Sequence, residues 1–319
     1  MILHFFSLAQ YPPPAGQPGS TAIFRDSSIL VNWAKTCSIQ VGYINIADTS
    51  VYYAGSNKAN FGTYLDGIGK ADDHVVSLGD GGIATLSFDP PISNGKGFDF
   101  AVFENGLSDN FLELGFVEVS SDGNRFVRLP SVSLTQDTSQ ISTFGFLDAV
   151  KINNLAGKYR VLFGTPFDLE EVKDSSSIDL LHIRQVRIID VGGSLNPLFA
   201  SHDSYGHIIN DPWPTPFNTG GFDLDAVGVI HEDLQSVNEP VPLPIRIFPM
   251  PVEKWMQVVI TSGEQVSFSL YNVQGEIIER NISFKGSGMF DFSSMPAGVY
   301  IGLFTFRDGR TQTQKIIKL

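Results

Sequence analysis

The sequence predicts an all-β protein built as two successive β-sandwiches, and three observations carry that expectation. The 319 residues include 25 Phe, 31 Gly and 18 Pro, with 42% hydrophobic and only 17% charged residues. Strand formers mixed with turn residues suit many short strands and fit poorly with long helices. Short apolar runs recur along the chain between Gly-, Pro-, Asn- and Asp-rich punctuation, the pattern of sandwiches rather than parallel α/β sheets. A proline-rich seam then divides the chain into a long and a short part, and the total length is comfortable for two domains.

Residues 1–9 form an apolar run that ends in Ser7-Leu8-Ala9 before Gln10. This is the pattern of a signal-peptide remnant without its positively charged start; an apolar first strand is the alternative reading. Residues 10–233 are expected to form the body domain. Its early part is less regular, with a polar surface loop from Asn57 to Asp73, and long loops of this kind often carry binding function. Strands are expected at 83–88, before a turn at Pro90-Pro91, and at 98–103. A hairpin follows, with strands at 115–120 and 125–129 joined through Asp122-Gly123. Further strands are expected at 159–163, 186–191 and 226–230, while 167–181 reads as a loop or a single helical turn. At the seam, 234–244, three prolines within five residues favour an extended linker. Residues 245–319 form the second domain, with strands at 267–273, 289–292 and 299–306 and turns at Val273 to Gly275 and Asp308-Gly309.

Charge is uneven. The net charge is −13, with 28 Asp/Glu against 13 Lys/Arg in residues 1–240 and 6 against 8 in residues 241–319. An acidic body repels phosphate backbones and argues against a nucleic-acid partner. No run of 18 apolar residues exists, which argues against a membrane-spanning helix. The single cysteine, Cys37, excludes an internal disulfide framework and reads as a buried, inert thiol.

Residues 245–319 resemble the C-terminal sorting domain of the bacterial type IX secretion system, of Bacteroidetes type. The carrying features are Phe248-Pro-Met-Pro-Val252, the 267–275 block ending in Asn272-Val-Gln-Gly275, Met295-Pro-Ala-Gly-Val-Tyr300 and the terminal Lys315-Ile-Ile-Lys-Leu319. Met250 stands where the family usually has Asn. The resemblance implies a small Ig-like β-sandwich read by the outer-membrane export machinery, and hence Sec-type export followed by release or display at the cell surface. Residues 11–230 resemble a family of bacterial cell-surface proteins found with such tails, through Tyr11 to Thr21, Val76 to Gly82, Phe98 to Gly106, Asn210 to Pro216 and Gly221 to Val227. The 117–123 block, Val-Glu-Val-Ser-Ser-Asp-Gly, is also similar to galactose-binding-like jelly rolls. That similarity implies a jelly-roll-like sandwich with a calcium ion and ligand-binding loops, but names no ligand.

The chemistry-bearing candidates are acidic and aromatic. On a regular strand Asp223 and Asp225 share one face, with Phe222, Leu224 and Ala226 on the other. Stacked carboxylates repel unless a cation or hydrogen-bond donors intervene. If the ends of the 98–103 strand meet them, Glu104, Asp223 and Asp225, with Asp99 added, form a structural Ca²⁺ site, since calcium accepts irregular cages of 6–8 oxygens; bonding of these carboxylates to loop amides is the alternative. The loop Asp211-Pro-Trp-Pro-Thr-Pro-Phe217 offers Trp213 and Phe217, with Asp211, as a platform for a sugar ring; a buried Trp213 would instead plug the sandwich. Gly79-Asp80-Gly81-Gly82 lacks the Lys-Ser/Thr of a phosphate loop and reads as a turn, and the 201–207 loop with His202, Asp203 and His207 reads as a polar surface loop. Glu113 and Glu118 are candidates for paired-carboxylate glycoside chemistry, but the usual nucleophile and metalloprotease motifs are absent. The expectation is a non-enzymatic, calcium-supported, glycan-binding surface protein, with a structural or adhesive role, nutrient capture beside an outer-membrane receptor, and a glycan-active hydrolase or lyase as alternatives.

Overall fold

The computed structural model describes residues 11–233, 245–261, 263–307 and 311–319. The 1–9 leader, the 234–244 seam and the Asp308-Gly309 turn lie outside the described residues. The chain divides into two compact units, Met1–Val237 and Asn238–Leu319.

In the first unit the strands in chain order are β1 (Ile23–Phe24), β2 (Asn32–Trp33), β3 (Thr36–Gln40), β4 (Val76–Ser77), β5 (Ile83–Ile92), β6 (Phe100–Glu104) and β7 (Gly115–Ser120). They continue as β8 (Val127–Arg128), β9 (Val132–Ser133), β10 (Ile152–Asn153), β11 (Phe163–Phe167), β12 (Ile183–Asp190) and β13 (Asp223–Val229). One sheet runs β1-β11-β6-β13-β2, with β4 also on the free edge of β13, and a second runs β3-β5-β12-β7-β8. Both are antiparallel throughout. Alternate residues of the two sheets meet between them: Ala84, Leu86, Val117, Val119, Val186 and Ile188 from one side, Phe100, Val102, Leu224, Val227 and Val229 from the other. This is a sandwich, and period-two burial is its cause.

Two local expectations change and one holds. The strand at 83–88 does not turn at Pro90-Pro91; β5 continues to Ile92, and its register against β12 shifts between Gln185↔Ser87 and Ile183↔Ile92. The prolines lie in that irregularity, where no ladder N–H is required. The strand expected at 159–163 forms one segment later, at Phe163–Phe167, because Leu162 turns the chain at φ 75°. The expected single helical turn is a short 3₁₀ segment at Leu169–Val172.

Strand β13 is buried at all seven positions, so its sheet is covered on both faces. The irregular early chain supplies part of the outer cover: Ile23 and Ala71, with Leu30 and Trp33 against them, pack on Ala101, Phe103 and Ala226. Residues 11–75 trade regular strands for this covering role. Cys37 is partly buried, and burial pushes its thiol up to about 12, which keeps it protonated and inert.

The second unit has β14 (Ile245–Phe248), β15 (Trp255–Ile260), β16 (Gln265–Asn272), β17 (Ile277–Lys285), β18 (Ser287–Asp291), β19 (Gly298–Phe306) and β20 (Thr311–Lys318). Sheets β14-β15-β18 and β17-β16-β19-β20 enclose an aromatic core. Its centre is Phe268, whose ring lies 4.8 Å from Phe304, 5.2 Å from Phe290 and 5.9 Å from Phe284. Phe268→Ala is expected to cost about 3–5 kcal/mol, since a fully buried ring leaves a cavity its neighbours cannot close. Denaturant unfolding of the full chain checks this; a loss below about 1 kcal/mol would show that the aromatic cluster repacks.

Candidate functional site

The site follows from where three elements end. Strand β6 terminates at Glu104, and the chain then leaves through Asn105-Gly106. Strand β13 begins beside it: Leu224 pairs with Glu104, and Asp223 pairs with Ser77 of β4. Residues 105–114 return to β7 and bring Glu113 alongside. Between these elements and the loops at 143–146 and 215–219 lies a cleft of about 560 Å³. Its walls include Phe61, Phe111, Phe144, Phe146 and Phe217, and its carboxyl groups are Glu113 and Asp223. Phe144 and Phe217 stack at 6.0 Å, and Tyr53 meets Phe217 edge-on at 5.7 Å.

Two glycines hold the floor in place. Gly157 has φ +78°, and a Cβ there would stand 1.8 Å from the Glu113 carbonyl oxygen. A Cβ on Gly106, which lines the cleft, would stand 2.9 Å from Glu104 Oε2. Only glycine admits the first approach, while a side chain at the second would displace the Glu104 carboxyl.

The carboxylates behind the floor are buried and tied to loop amides. Glu104 Oε2 accepts from Gly106 N at 2.7 Å, whereas its Oε1 is buried without a hydrogen-bond partner. The Ser77 hydroxyl donates to Asp223 Oδ1. Asp211 Oδ2 accepts from Leu114 N at 2.8 Å, and its Oδ1 is also buried and unpartnered. Asp190 accepts from Phe222 N at 2.7 Å and Gly81 N at 2.9 Å. Asp80, in the glycine turn before β5, accepts from Ile46 N at 2.8 Å.

Burial sets the protonation of this group. It is the largest influence on Asp223, pushed up to about 7, with the Ser77 hydroxyl pulling back. Asp190 rises to about 8 through burial, then through the charges of Asp80 and Asp223, against its two backbone donors. Glu104 and Glu113 are held well above the ordinary carboxyl range by burial and then by the Asp223 charge, and Asp211 by burial and the Asp190 charge. Such desolvated acids favour the neutral form at neutral pH.

The expected calcium residues do not come together as a set of four. Glu104 and Asp223 do meet. Asp99 precedes the opposite end of β6, five residues and roughly 16 Å of strand from Glu104; it accepts from Gly95 N, Leu169 N and His231 Nδ1 at 2.7, 2.7 and 2.8 Å. Asp225 accepts from Asp72 N and Asp73 N at 3.0 and 3.3 Å, the loop-amide role that was the alternative. The β13 register shifts between Leu224 and Ala226, so the alternation expected of a regular strand breaks: Ala226 joins the outer cluster while Leu224 faces the sandwich core. Among the described residues no group of three or more His, Cys, Asp or Glu is placed to hold a metal.

The aromatic platform is divided as well. Phe217 lines the cleft, while Trp213 is half-buried outside its lining, its indole N–H donating to Asp80 Oδ2 at 3.3 Å. Asp211 lies behind the floor rather than on an exposed loop. Glu118 is no partner for Glu113, since Arg128 and Arg187 engage it at 2.9 and 3.3 Å. In the 201–207 loop Asp203 ties the turn, accepting from Ser133 N, Tyr205 N and His207 N. The sequence reading missed Phe61, Phe111, Phe144, Phe146 and the role of Glu113. One signal was present: Glu113 lies in Phe111-Leu-Glu-Leu114 and Asp190 in Ile188-Ile-Asp-Val191, single acids within apolar runs.

The buried carboxyls carry a signed pH dependence. Asp225, Asp223 and Asp190, at about 6, 7 and 8, hold protons more tightly folded than unfolded. Their contribution is complete below about pH 4 and is lost as pH rises through 6 to 8. The body is expected to melt at a higher temperature at pH 5 than at pH 8, and Asp190→Asn to flatten that slope. Equal slopes in wild type and variant would remove Asp190 from the account.

No curated protein matches the chain. Among solved structures, β-glucuronidase of Parabacteroides merdae is similar at 10% identity and a TM-score of 0.21, over 90% of this chain and 36% of that one. The BSP domain of a biofilm-associated protein is similar at 13% identity and a TM-score of 0.19, over 92% of this chain and 53% of that one. The chain thus spans about a third to a half of those proteins' length, and likeness this low carries no argument about function. No helix among the described residues is long and apolar enough to cross a membrane. Residues 246–319 match the family model described as secretion system C-terminal sorting domain, and a C-terminal domain of this kind addresses the chain to type IX secretion, and so to the cell surface or the extracellular space.

Proposed function

We propose that the body is a non-enzymatic binding module that presents its cleft to a sugar of a surrounding glycan after export. The observation that carries this reading is the pairing of aromatic walls with a carboxyl floor in a cleft of about 560 Å³, within the usual range for small-molecule sites. A sugar ring offers apolar C–H faces to rings such as Phe144 and Phe217, and its hydroxyls donate to carboxyl oxygens. Glu113 and Asp223 are also a carboxyl pair in which the charge of one raises the other, the kind of pair that glycoside hydrolysis uses, so turnover is the measurement that separates binding from hydrolysis. A structural or adhesive role would leave the cleft without a sugar ligand.

Glycan-array binding by the full chain, repeated with Phe217→Ala, tests the reading. Binding that falls about tenfold in the variant, with no release of reducing ends from a polysaccharide panel, supports it. Turnover of any polysaccharide would overturn the non-enzymatic reading.

A second reading, calcium support, is favoured by the buried, unpartnered Glu104 Oε1 beside Asp223. It uses two of the four residues expected from the sequence, so water or other oxygens would complete the shell. A melting temperature raised by Ca²⁺ and lowered by EDTA supports it; identical melts remove it.

A further inference from the structure

The floor of the cleft carries an uncompensated acidic demand. Of the residues that line it, Glu113 and Asp223 are ionisable and none is basic. Directly behind them stand Glu104 and Asp211, each with one carboxyl oxygen buried and unpartnered. Strand β6 contributes Glu104; β13 contributes Asp223 and Asp225, with Asp225 spent on the amides of Asp72 and Asp73; β4 contributes the Ser77 hydroxyl. Asp190 at the end of β12 and Asp80 before β5 add further buried carboxyl groups and no cation. The nearby cations are committed elsewhere: Arg160 Nε donates to Asp109 Oδ1 at 2.9 Å, and the buried Lys158 Nζ donates to the Ile152 carbonyl at 2.7 Å.

We infer that the cleft selects glycans bearing a free amine, an amino sugar whose ammonium group seats against Glu113 and Asp223 between the phenylalanine walls. The inference rests on the glycan reading and names the class of sugar. An ammonium group supplies three N–H donors and a full positive charge. Against a carboxylate in a site shielded from water, that gain exceeds what a neutral hydroxyl provides. Phenylalanine faces add attraction for the cation through their ring quadrupoles. A uronic acid brings an anion where no basic residue lines the cleft to receive it, and an N-acetylated sugar keeps the ring but loses the charge. Burial holds part of the floor in its neutral form, so seating a cation drives protons off the carboxyls, and binding is accompanied by proton release.

The test compares three oligosaccharides of equal length on the wild-type full chain by calorimetry at pH 6: glucosamine, N-acetylglucosamine and glucuronic acid. The amine form is expected to bind about tenfold or more tighter than the acetylated form, and the uronate not to bind. Heats measured in two buffers of different ionisation enthalpy are expected to differ for the amine form alone, reporting the released protons. Glu113→Gln and Asp223→Asn, which keep shape and remove charge, are expected to abolish the preference for the amine form over the acetylated form, together with the buffer-dependent difference in heat. Equal affinity for the amine and acetylated forms, or preference for the uronate, overturns the inference and leaves the glycan reading standing. Failure of all three sugars to bind overturns the inference, and a glycan array without binding overturns the glycan reading as well. The comparison on wild-type protein decides the matter even if a floor variant fails to fold.

Discussion

The body domain is organised around the difficulty of keeping carboxyl groups away from water. Asp80, Asp99, Glu104, Asp190, Asp211 and Asp223 are all buried, and a bare buried carboxylate is among the costliest groups a fold can hold. The structure meets the cost with loop amides. Asp190 ties the start of β13 to the glycine turn, Asp211 ties the return into β7, and Asp99 ties residues 95 and 169 to the foot of β6. Each carboxylate stands in for a piece of ladder that irregular chain cannot supply. The same residues that brace the loops therefore bring an acidic floor to one end of the sandwich. At that floor the supply of donors falls short, and there the cleft opens.

This arrangement explains what was legible in the sequence. Strand positions rest on local patterns, so 115–120, 186–191 and 299–306 emerged close to their observed limits. The sorting domain was legible because its blocks recur in a fixed order at short range. The displaced elements share one physical cause: a residue whose backbone departs from the local pattern, such as Leu162 at positive φ or the prolines inside the β5 irregularity, reflects tertiary context more than propensity.

The site was half legible for a related reason. Asp223 and Glu104 meet because the ends of β13 and β6 pair, the condition that the sequence expectation posed. Asp225 and Asp99 belonged to the same expectation, yet both serve amides, because carboxylate composition does not reveal which donors the fold delivers. The wall residues Phe61, Phe111, Phe144 and Phe146 come from three stretches of loop, and no periodicity marks a loop phenylalanine as facing a cleft. Glu113 is the instructive miss. It was noticed as a carboxylate but paired with Glu118, five residues away, whereas a two-residue period places those two on opposite faces of an extended strand, and Glu118 faces Arg128 and Arg187.

In the tail domain, β20 runs along β19 from Thr305↔Thr311 to Gly298↔Lys318, and Val252 bonds both Ile317 and Leu319, at 2.7 and 2.9 Å. Ile316 fills the core beside Tyr300 and Phe304. A chain released short of Thr311 would leave the β19 edge bare and the aromatic core open on one side. Edge and core of this domain are thus sealed by one and the same strand, and neither is closed without the other.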